Sequence, residues 1–407
     1  MAPQGKHIVA AAHASPVFMD KKRTIEKVVA LIEQAWKENV KFLVFPETFV
    51  PGYPYFIECY PPLTQAPALA KYADESVTVE NGGSDMAVIQ KACSAYEVAI
   101  SLGISERVAD GYTLFNSQVL IDNTGTILGV HRKLQPTYAE RYVWAQGSGA
   151  TLKTWRVDEL DCNVGGLACW EHTMNGARQA LIMHDQHIHA GAWPALSTMS
   201  GFEQVADAQI EALMKAHALT AQCFVVTASN YVDQDCLDWM EKNLGPQDFV
   251  KKGGGWSAVI HPFCSFLAEP HTGAEEKVVK AEIDFDQMGM VKVWVDAKGH
   301  YRRPDVLKFE VDETQKWHDD DKVFEQYVPE RKTQSTPSGY MFFVQEKRQT
   351  IRNENPDIKF GEVGALLGRE WKKLSDDERR TYDQKAISDQ LRRDAESKKY
   401  EQDGSGA

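Results

Sequence analysis

The 407-residue chain reads as a large mixed α/β domain followed by a small all-helical module. Three observations predict this. Short apolar runs alternate with stretches of helical spacing as far as about residue 310. Residues 311–336 then turn polar and charged, as an extension and linker would. Beyond Pro337 the pattern is helical, with no strand signal.

In order along the chain, "HIVAAAHA" is the first strand. "KKRTIEKVVALIEQAWKEN" places Ile25, Val28, Val29, Ile32 and Trp36 at helical spacing. "KFLVFPE" is a buried strand that stops at Pro46. "DMAVIQKACSAYEV" is a helix, and "AISLGISE" the strand after it. "TLFNSQVLIDNTGTILGVHRKL" is two strands about an Asn-Thr-Gly turn. "VGGLACW" is a buried strand and "TMNGARQALIMH" a helix. "CFVVTASN", "WSAVIHP" and "VVKAEIDF" supply further strands. No internal repeat is evident. The stretches near "PYFIECYPPL" and "YVDQDCLDWM" are read as pocket loops whose placement, and with it the substrate size, the sequence does not give.

Composition narrows the class. The 43% hydrophobic content supports a sizeable core. Seven cysteines stand at irregular spacings without a Cys-x-x-Cys pair, which argues against a disulfide framework and a structural zinc site. The N-terminus lacks a basic segment and a long apolar core, so no signal peptide is expected. No run approaches the roughly 20 apolar residues of a membrane span. A cytoplasmic protein with reduced thiols is the expectation. Residues 331–407 hold 16 Lys/Arg against 14 Asp/Glu, whereas residues 1–330 hold 29 against 44. An acidic body joined to a slightly basic tail again reads as two modules.

Three reactive residues stand at equivalent places, each at the end of a strand. Glu47 ends "FLVFPE", Lys133 follows "TILGVHRK" and Cys169 ends "VGGLACW". Singly each has an ordinary reading: a core thiol, a loop carboxylate, a solvated lysine. Together on one rim they make a nucleophilic catalyst. A nearby cation favours the thiolate, a carboxylate takes the proton, and an ammonium stabilises developing negative charge. His184, His187 and His189 in "HDQHIH" have poor metal-ligand spacing and read as helix-end and strand residues. "KKGGGW" lacks the Gly-Lys-Ser/Thr of a phosphate loop. No metal and no cofactor is expected.

The blocks "FPETFVPGYPYF", "HRKLQPTYAERYVWAQGSG" and "GGLACWEH" resemble the signature blocks of the nitrilase superfamily. "HIHAGAWPA", "GGGWSAVIHPF" and "EEKVVKAEIDFD" resemble its later segments, and the similarity spans residues 5–310. The resemblance implies a four-layer α-β-β-α sandwich. It makes Glu47 the general base, Lys133 the charge stabiliser, Cys169 the nucleophile and Glu140 the residue that positions the lysine. It also implies a homo-oligomer, a dimer or a spiral. "CWEH" resembles the nitrile-hydrolysing branch, with Trp170 and His172 at the substrate pocket. The implied reaction runs through a thioimidate and a thioester to a carboxylic acid and ammonia. Two alternatives stay open: a cyanide hydratase that stops at the amide, and a DNA-binding or scaffold protein with a vestigial hydrolase domain.

The tail, residues 337–402, divides into three helices. Pro356 separates the first two, and "SDDE", Ser375 to Glu378, is a capping box that opens the third. Phe342, Phe343, Trp371 and Tyr382 are the candidate core, and Phe360, Val363 and Leu367 share a face with Trp371. This block resembles an HMG box. In that family apolar wedges enter the DNA minor groove. Met341 and Phe360 match the wedge positions and Tyr340 a minor-groove contact. The resemblance therefore implies duplex DNA as a partner and a nuclear location beside the cytoplasmic one. The near-zero net charge of the tail predicts weak, sequence-independent binding, or a box used for protein contact. Only Arg331 and Lys332 stand where many boxes carry a basic arm.

Overall fold

The computed structural model describes residues 3–320, 322–324, 326–327, 338–354, 360–375 and 378–388. The chain divides into two compact units, residues 1–329 and 330–407.

The first unit is built on two six-stranded sheets. The first sheet contains β1 (Lys6–His13), β2 (Phe42–Val44), β3 (Ala99–Arg107), β4 (Leu114–Ile121) and β5 (Ile127–Arg132). The second contains β6 (Trp155–Val157), β7 (Cys162–Ala168), β8 (Ile188–Trp193), β9 (Phe224–Ser229), β10 (Trp256–Ile260) and β11 (His271–Thr272). The chain then returns to the first sheet as β12 (Lys277–Asp284), antiparallel to β1. The orders are β12-β1-β2-β3-β4-β5 and β11-β10-β9-β8-β7-β6. Each sheet has a parallel centre, β1-β2-β3 or β7-β8-β9, with antiparallel strands on both sides.

Helices α1 (Lys21–Lys37), α2 (Pro62–Asp74), α3 (Met86–Tyr96), α4 (Asn175–Met183), α5 (Ala206–Ala221), α6 (Gln234–Leu244) and α7 (Met288–Lys292) complete this unit. Strand alternation sorts the layers. Val9 and Ala11 of β1 face Val226 and Ala228 of β9 in the core between the sheets. Ala10 and Ala12 instead join Val28, Ile32 and Ala35 of α1 and Ile89 of α3. On the other outer face, Ile210, Met214 and Ala218 of α5 pack with Val225 and Ala258. The result is the expected α-β-β-α sandwich. The strands and helices assigned from periodicity all appear. The two unassigned loop regions hold α2 and α6, and α2 carries Pro67 inside it, which blurs a helical pattern.

Residues 312–320 form part of this unit. Arg132, the last residue of β5, is fully buried and paired with Glu106 of β3. Asp319 and Asp320 close over the same guanidinium at 2.8 and 3.1 Å. Its plane lies 4.0 Å above the Phe115 ring, which Trp317 covers edge-on. The charged composition of this stretch reads as extension and linker; its acids serve as counter-ions to a buried arginine. The later part of the expected linker, 328–337 with Arg331 and Lys332, lies outside the described residues.

In the second unit, α8 (Gly339–Glu354), α9 (Phe360–Lys373) and a helix over 378–388 surround Phe343, Ile351, Val363, Leu367 and Tyr382. Trp371 touches Tyr340, Phe343 and Tyr382. The capping box forms: Ser375 N–H donates to Glu378 Oε2, and Glu378 N–H donates to Ser375 Oγ. These helices fit the HMG box. The Pro356 break and residues 389–402 lie outside the described residues.

Chain shortening tests the role of residues 312–320. A chain ending at Val311 leaves Arg132 with Glu106 alone and should lose about 3–5 kcal/mol. A chain ending at Tyr327 should lose under about 0.5 kcal/mol. Thermal unfolding of the two chains checks this; equal midpoints would remove the counter-ion role.

Candidate active site

Glu47, Lys133 and Cys169 each follow a strand: β2, β5 and β7. The loop after β2 lies across β3 because residue 103 is glycine. A Cβ there would collide with the Pro46 carbonyl and reach Thr48 N at 2.7 Å and Glu47 Cα at 2.9 Å. Cys169 takes a left-handed φ of 52°, and Thr48 one of 42°. For residues with a Cβ this backbone costs of order 1–3 kcal/mol and needs external support.

The structure brings all four predicted residues together, and all four side chains are buried. Lys133 Nζ donates to Glu47 Oε1 at 2.9 Å and to Glu140 Oε2 at 2.7 Å. One carboxylate oxygen each of Glu47 and Glu140 and the Cys169 sulfur lie within 4.8 Å of one another. Asn116 Nδ2 donates to Glu47 Oε1 at 2.6 Å, and the Tyr53 hydroxyl donates to Glu140 Oε1 at 3.0 Å. Glu140 Oε2 also accepts the Thr137 N–H, so its position is fixed from three sides. Glu47 Oε2 has no partner within the protein, which leaves it available to a substrate, a water or the thiol. Cys169 belongs to a mainly apolar cluster with Tyr53, Trp144 and Trp193, and half-buried Trp170 packs against it.

Electrostatics follow from this burial. Desolvation pushes the Glu47 carboxyl up to about 7, against the pull of Lys133. Burial and then Glu47 hold the Cys169 thiol well above its ordinary value, opposed by Lys133. Burial disfavours the Lys133 ammonium, but Glu140, Glu47 and Cys169 outweigh it and keep it charged. The resting site is therefore a protonated thiol beside an ammonium and two acids, one of them close to its titration point at neutral pH. The oxygens and sulfur stand close enough to hold a cation. The Lys133 ammonium already occupies the space between the two carboxylates, so a divalent ion would meet a like charge there.

A third buried acid ties the two halves of the site together. Glu171 Oε1 accepts the N–H of Leu134, next to Lys133, and Oε2 accepts the N–H of Ala168, next to Cys169. His131 Nε2 faces the same carboxylate at 3.1 Å, and its Nδ1 faces the Thr151 carbonyl at 3.0 Å. Both ring nitrogens thus meet acceptors, which favours an imidazolium. Burial works against that charge, but Glu171 outweighs it and the ring's pKa is raised. His131 and the two N–H donors hold Glu171 below the ordinary carboxylate range despite its burial. Sequence reasoning missed Glu171, His131, Asn116 and Tyr53. Glu171 adjoins two recognised residues and His131 stands two before Lys133, but nothing in a single sequence distinguishes a buried ion pair from a solvated one.

Trp170 stacks edge-on with Trp193. His172, expected at the pocket, is fully buried beneath the cysteine turn with both ring nitrogens engaged, by the Cys169 carbonyl and by His189. His184 caps α4 and His187 accepts the Asn163 N–H, so the "HDQHIH" histidines do not converge on a common centre. In the second unit, Met341 is 50% exposed, Tyr340 leans on Trp371 and Phe360 opens α9 with its side chain outside the described set.

A sandwich of two sheets with a buried Glu-Lys-Glu-Cys cluster at its strand ends defines a class of hydrolase, and the chain belongs to it: the carbon-nitrogen hydrolase family, whose model matches residues 8–293. An HMG-box domain matches residues 330–401. Among curated relatives, "Nitrilase 3" from an unknown prokaryotic organism is 35% identical over 311 residues, 76% of this chain and 91% of the relative. An aliphatic nitrilase of Rhodococcus rhodochrous is 33% identical over 302 residues, 74% and 81% of the two chains. The fold is also that of a carbon-nitrogen hydrolase from Helicobacter pylori G27, with a TM-score of 0.56, 22% identity, and 74% and 97% of the chains covered. The protein is thus a carbon-nitrogen hydrolase of the nitrilase superfamily with a C-terminal HMG box.

The His131–Glu171 pair sets a pH window. His131 is raised from 6.5, so its contribution is complete below that pH and fades as pH rises through the folded value. Glu171 is lowered from 4.5, so its contribution is complete above that pH and fades as pH falls through the folded value. Glu171→Gln should cost about 3–5 kcal/mol between pH 4.5 and 6.5, with a smaller loss on either side. Thermal unfolding across pH checks this; a pH-independent loss would mean the pair is not ionic.

Proposed function

We propose that this chain hydrolyses a nitrile to a carboxylic acid and ammonia, with Cys169 as nucleophile. The observation that carries the reading is the buried Cys169 thiol within 4.8 Å of two carboxylates that an ammonium joins. The relatives named as nitrilases supply the substrate class. Glu47, through its unpartnered Oε2, takes the thiol proton as sulfur bonds to the nitrile carbon. The nitrogen gains that proton and a thioimidate forms. Lys133 stabilises the charge that builds on nitrogen, and Glu140 positions the lysine. Glu47 then deprotonates a water that adds to the same carbon and passes that proton to nitrogen; as the new hydroxyl gives up its own proton to nitrogen, the carbon-nitrogen bond breaks, ammonia leaves and a thioester remains. A second water cleaves the thioester, releasing the acid and the thiol. Trp170 walls the apolar side of the pocket, and buried His172 supports the cysteine turn from behind it. No cofactor enters this scheme. A hydratase differs at one step only: the tetrahedral intermediate expels sulfur rather than ammonia, and the product is the amide.

Cys169→Ala should abolish turnover and Cys169→Ser nearly so, because a hydroxyl is a far weaker nucleophile at neutral pH. Lys133→Ala should lower the rate by roughly 10²-fold or more. Glu47→Gln should block proton transfer at little structural cost. A nitrile panel with acid, amide and ammonia quantified checks these outcomes. Acid with equimolar ammonia supports the nitrilase; amide alone selects the hydratase. Turnover by the alanine variant would defeat both.

We also propose a weak duplex-DNA role for the box and self-association for the hydrolase. Half-exposed Met341 supports the wedge, with Phe360 and Tyr340 as its expected companions. Exposed Val205, Leu219, Val293 and Trp294 support a subunit interface. Seven free thiols suit a reducing compartment, cytoplasmic or nuclear. Sedimentation with and without a DNA duplex tests both ideas. The protein should run heavier than a 45.7 kDa monomer and bind duplex at low salt only. A monomer would remove the interface, and absence of low-salt binding would leave the box to protein contact.

A further inference from the structure

Three buried histidines and a glutamine form one chain that ends on the backbone of Cys169. His172 Nδ1 lies 2.7 Å from the Cys169 carbonyl. His172 Nε2 lies 2.8 Å from His189 Nε2. His189 Nδ1 lies 3.1 Å from Gln186 Nε2, and Gln186 Oε1 lies 2.7 Å from His217 Nε2. The four come from the turn after β7, from the residues leading into β8, from β8 itself and from α5. All three rings are fully buried, and Gln186 nearly so.

Donor and acceptor roles leave one arrangement of neutral rings. A carbonyl only accepts, so His172 Nδ1 carries hydrogen and its Nε2 is bare. His189 Nε2 must then donate to it, and His189 Nδ1 is bare in turn. Gln186 therefore turns its amide N–H₂ to His189 and its oxygen to His217, whose Nε2 donates. His217 Nδ1 is left bare, and it is the one ring nitrogen in the chain without a partner. Charging His172 or His189 would set two donors face to face unless the rest of the row reversed. Burial favours the neutral state throughout: it pulls His172 down to about 4 and His189 and His217 well below their ordinary values. His172 also lies flat against Trp193 at 4.8 Å, which fixes its plane.

We propose that His172, His189, Gln186 and His217 are positioning residues that hold the left-handed Cys169 peptide through one directional row of hydrogen bonds, so that the thiol and the Trp170 N–H face the substrate. The inference rests on Cys169 as the nucleophile. The turn needs such a support because Cys169 has a φ of 52° and its carbonyl accepts the His172 N–H. The Trp170 N–H adjoins the cysteine and favours the thiolate. If the carbonyl of Cys169 loses its donor, the peptide can rotate, and both the sulfur and that N–H lose their aim.

The test combines turnover with alkylation of Cys169 by iodoacetamide, located by peptide mass. His172→Phe keeps the ring but removes the donor. It should lower kcat by about 10-fold to 100-fold, leave KM within about twofold and slow alkylation in parallel. His172→Asn places an amide N–H near the old Nδ1 and should restore most of both rates. His189→Phe, one link removed, should give an intermediate loss. Phenylalanine variants with the kcat and alkylation rate of the asparagine variant would overturn the proposal. If the phenylalanine variants do not fold, ¹⁵N-histidine spectra of the unaltered protein decide: His172 should be the Nδ1–H tautomer, and His189 and His217 the Nε2–H tautomer. A His172 imidazolium or Nε2–H form at neutral pH would overturn it as well. Activity in Cys169→Ala would defeat the nucleophile reading instead, a separate outcome.

Discussion

The site depends on one buried ammonium held between two carboxylates. Lys133 has no access to water, and a lone ammonium would not stay charged there. Glu47 and Glu140 keep it charged, and it in turn keeps two acids from repelling each other at close range. The three groups carry a net charge near −1 when both acids are ionised. That excess resists a thiolate, so Cys169 rests protonated. A neutral thiol beside an acid close to its titration point keeps its proton at rest, and transfer to Glu47 is driven only as sulfur bonds to the substrate carbon. The charge balance that packs the site also determines the direction of proton flow.

Around that cluster, histidines are sorted by what they face. His131 meets a carboxylate and a carbonyl, both acceptors, and its pKa is raised toward the charged form. His172, His189 and His217 meet one another, a carbonyl and an amide, and are neutral. His131 ties the backbone beside Lys133 to the backbone beside Cys169 through Glu171. The neutral ones brace the cysteine turn without adding charge beneath the thiol. A cation there would compete with Lys133 for Glu47 and alter the proton balance.

Much of this was legible in the sequence, for physical reasons. The strands before Glu47, Lys133 and Cys169 are apolar runs cut by proline, charge or a turn. "NTG" announced the β4–β5 hairpin, and the helical spacing of α1, α3 and α4 was clear. The resemblance supplied Glu140, which spacing alone would not have singled out. What stayed hidden depends on pairing across long separations. Glu171 and His131 are 40 positions apart, and Arg132 and Asp319 are 187 apart. Both sheets repeat one plan, a parallel three-strand centre followed by two antiparallel strands. That plan leaves no repeat in the sequence, because backbone geometry is repeated and side chains are not.

The acidic stretch before the box shows why composition alone misplaces a segment. Asp319 and Asp320 in isolation look like solvent-loving linker residues, and burying either unpaired would be costly. Arg132 changes the sign of that argument. It adjoins Lys133 and is wedged between Glu106 and the Phe115 ring, so it cannot swing out to water without disturbing the end of β5. With Glu106 alone it would have guanidinium donors left over in a dry site. The two aspartates satisfy those donors, and Trp317 covers the ring beneath them. The segment is therefore held by the charge next to the active-site lysine, and that lysine's strand is held by the segment.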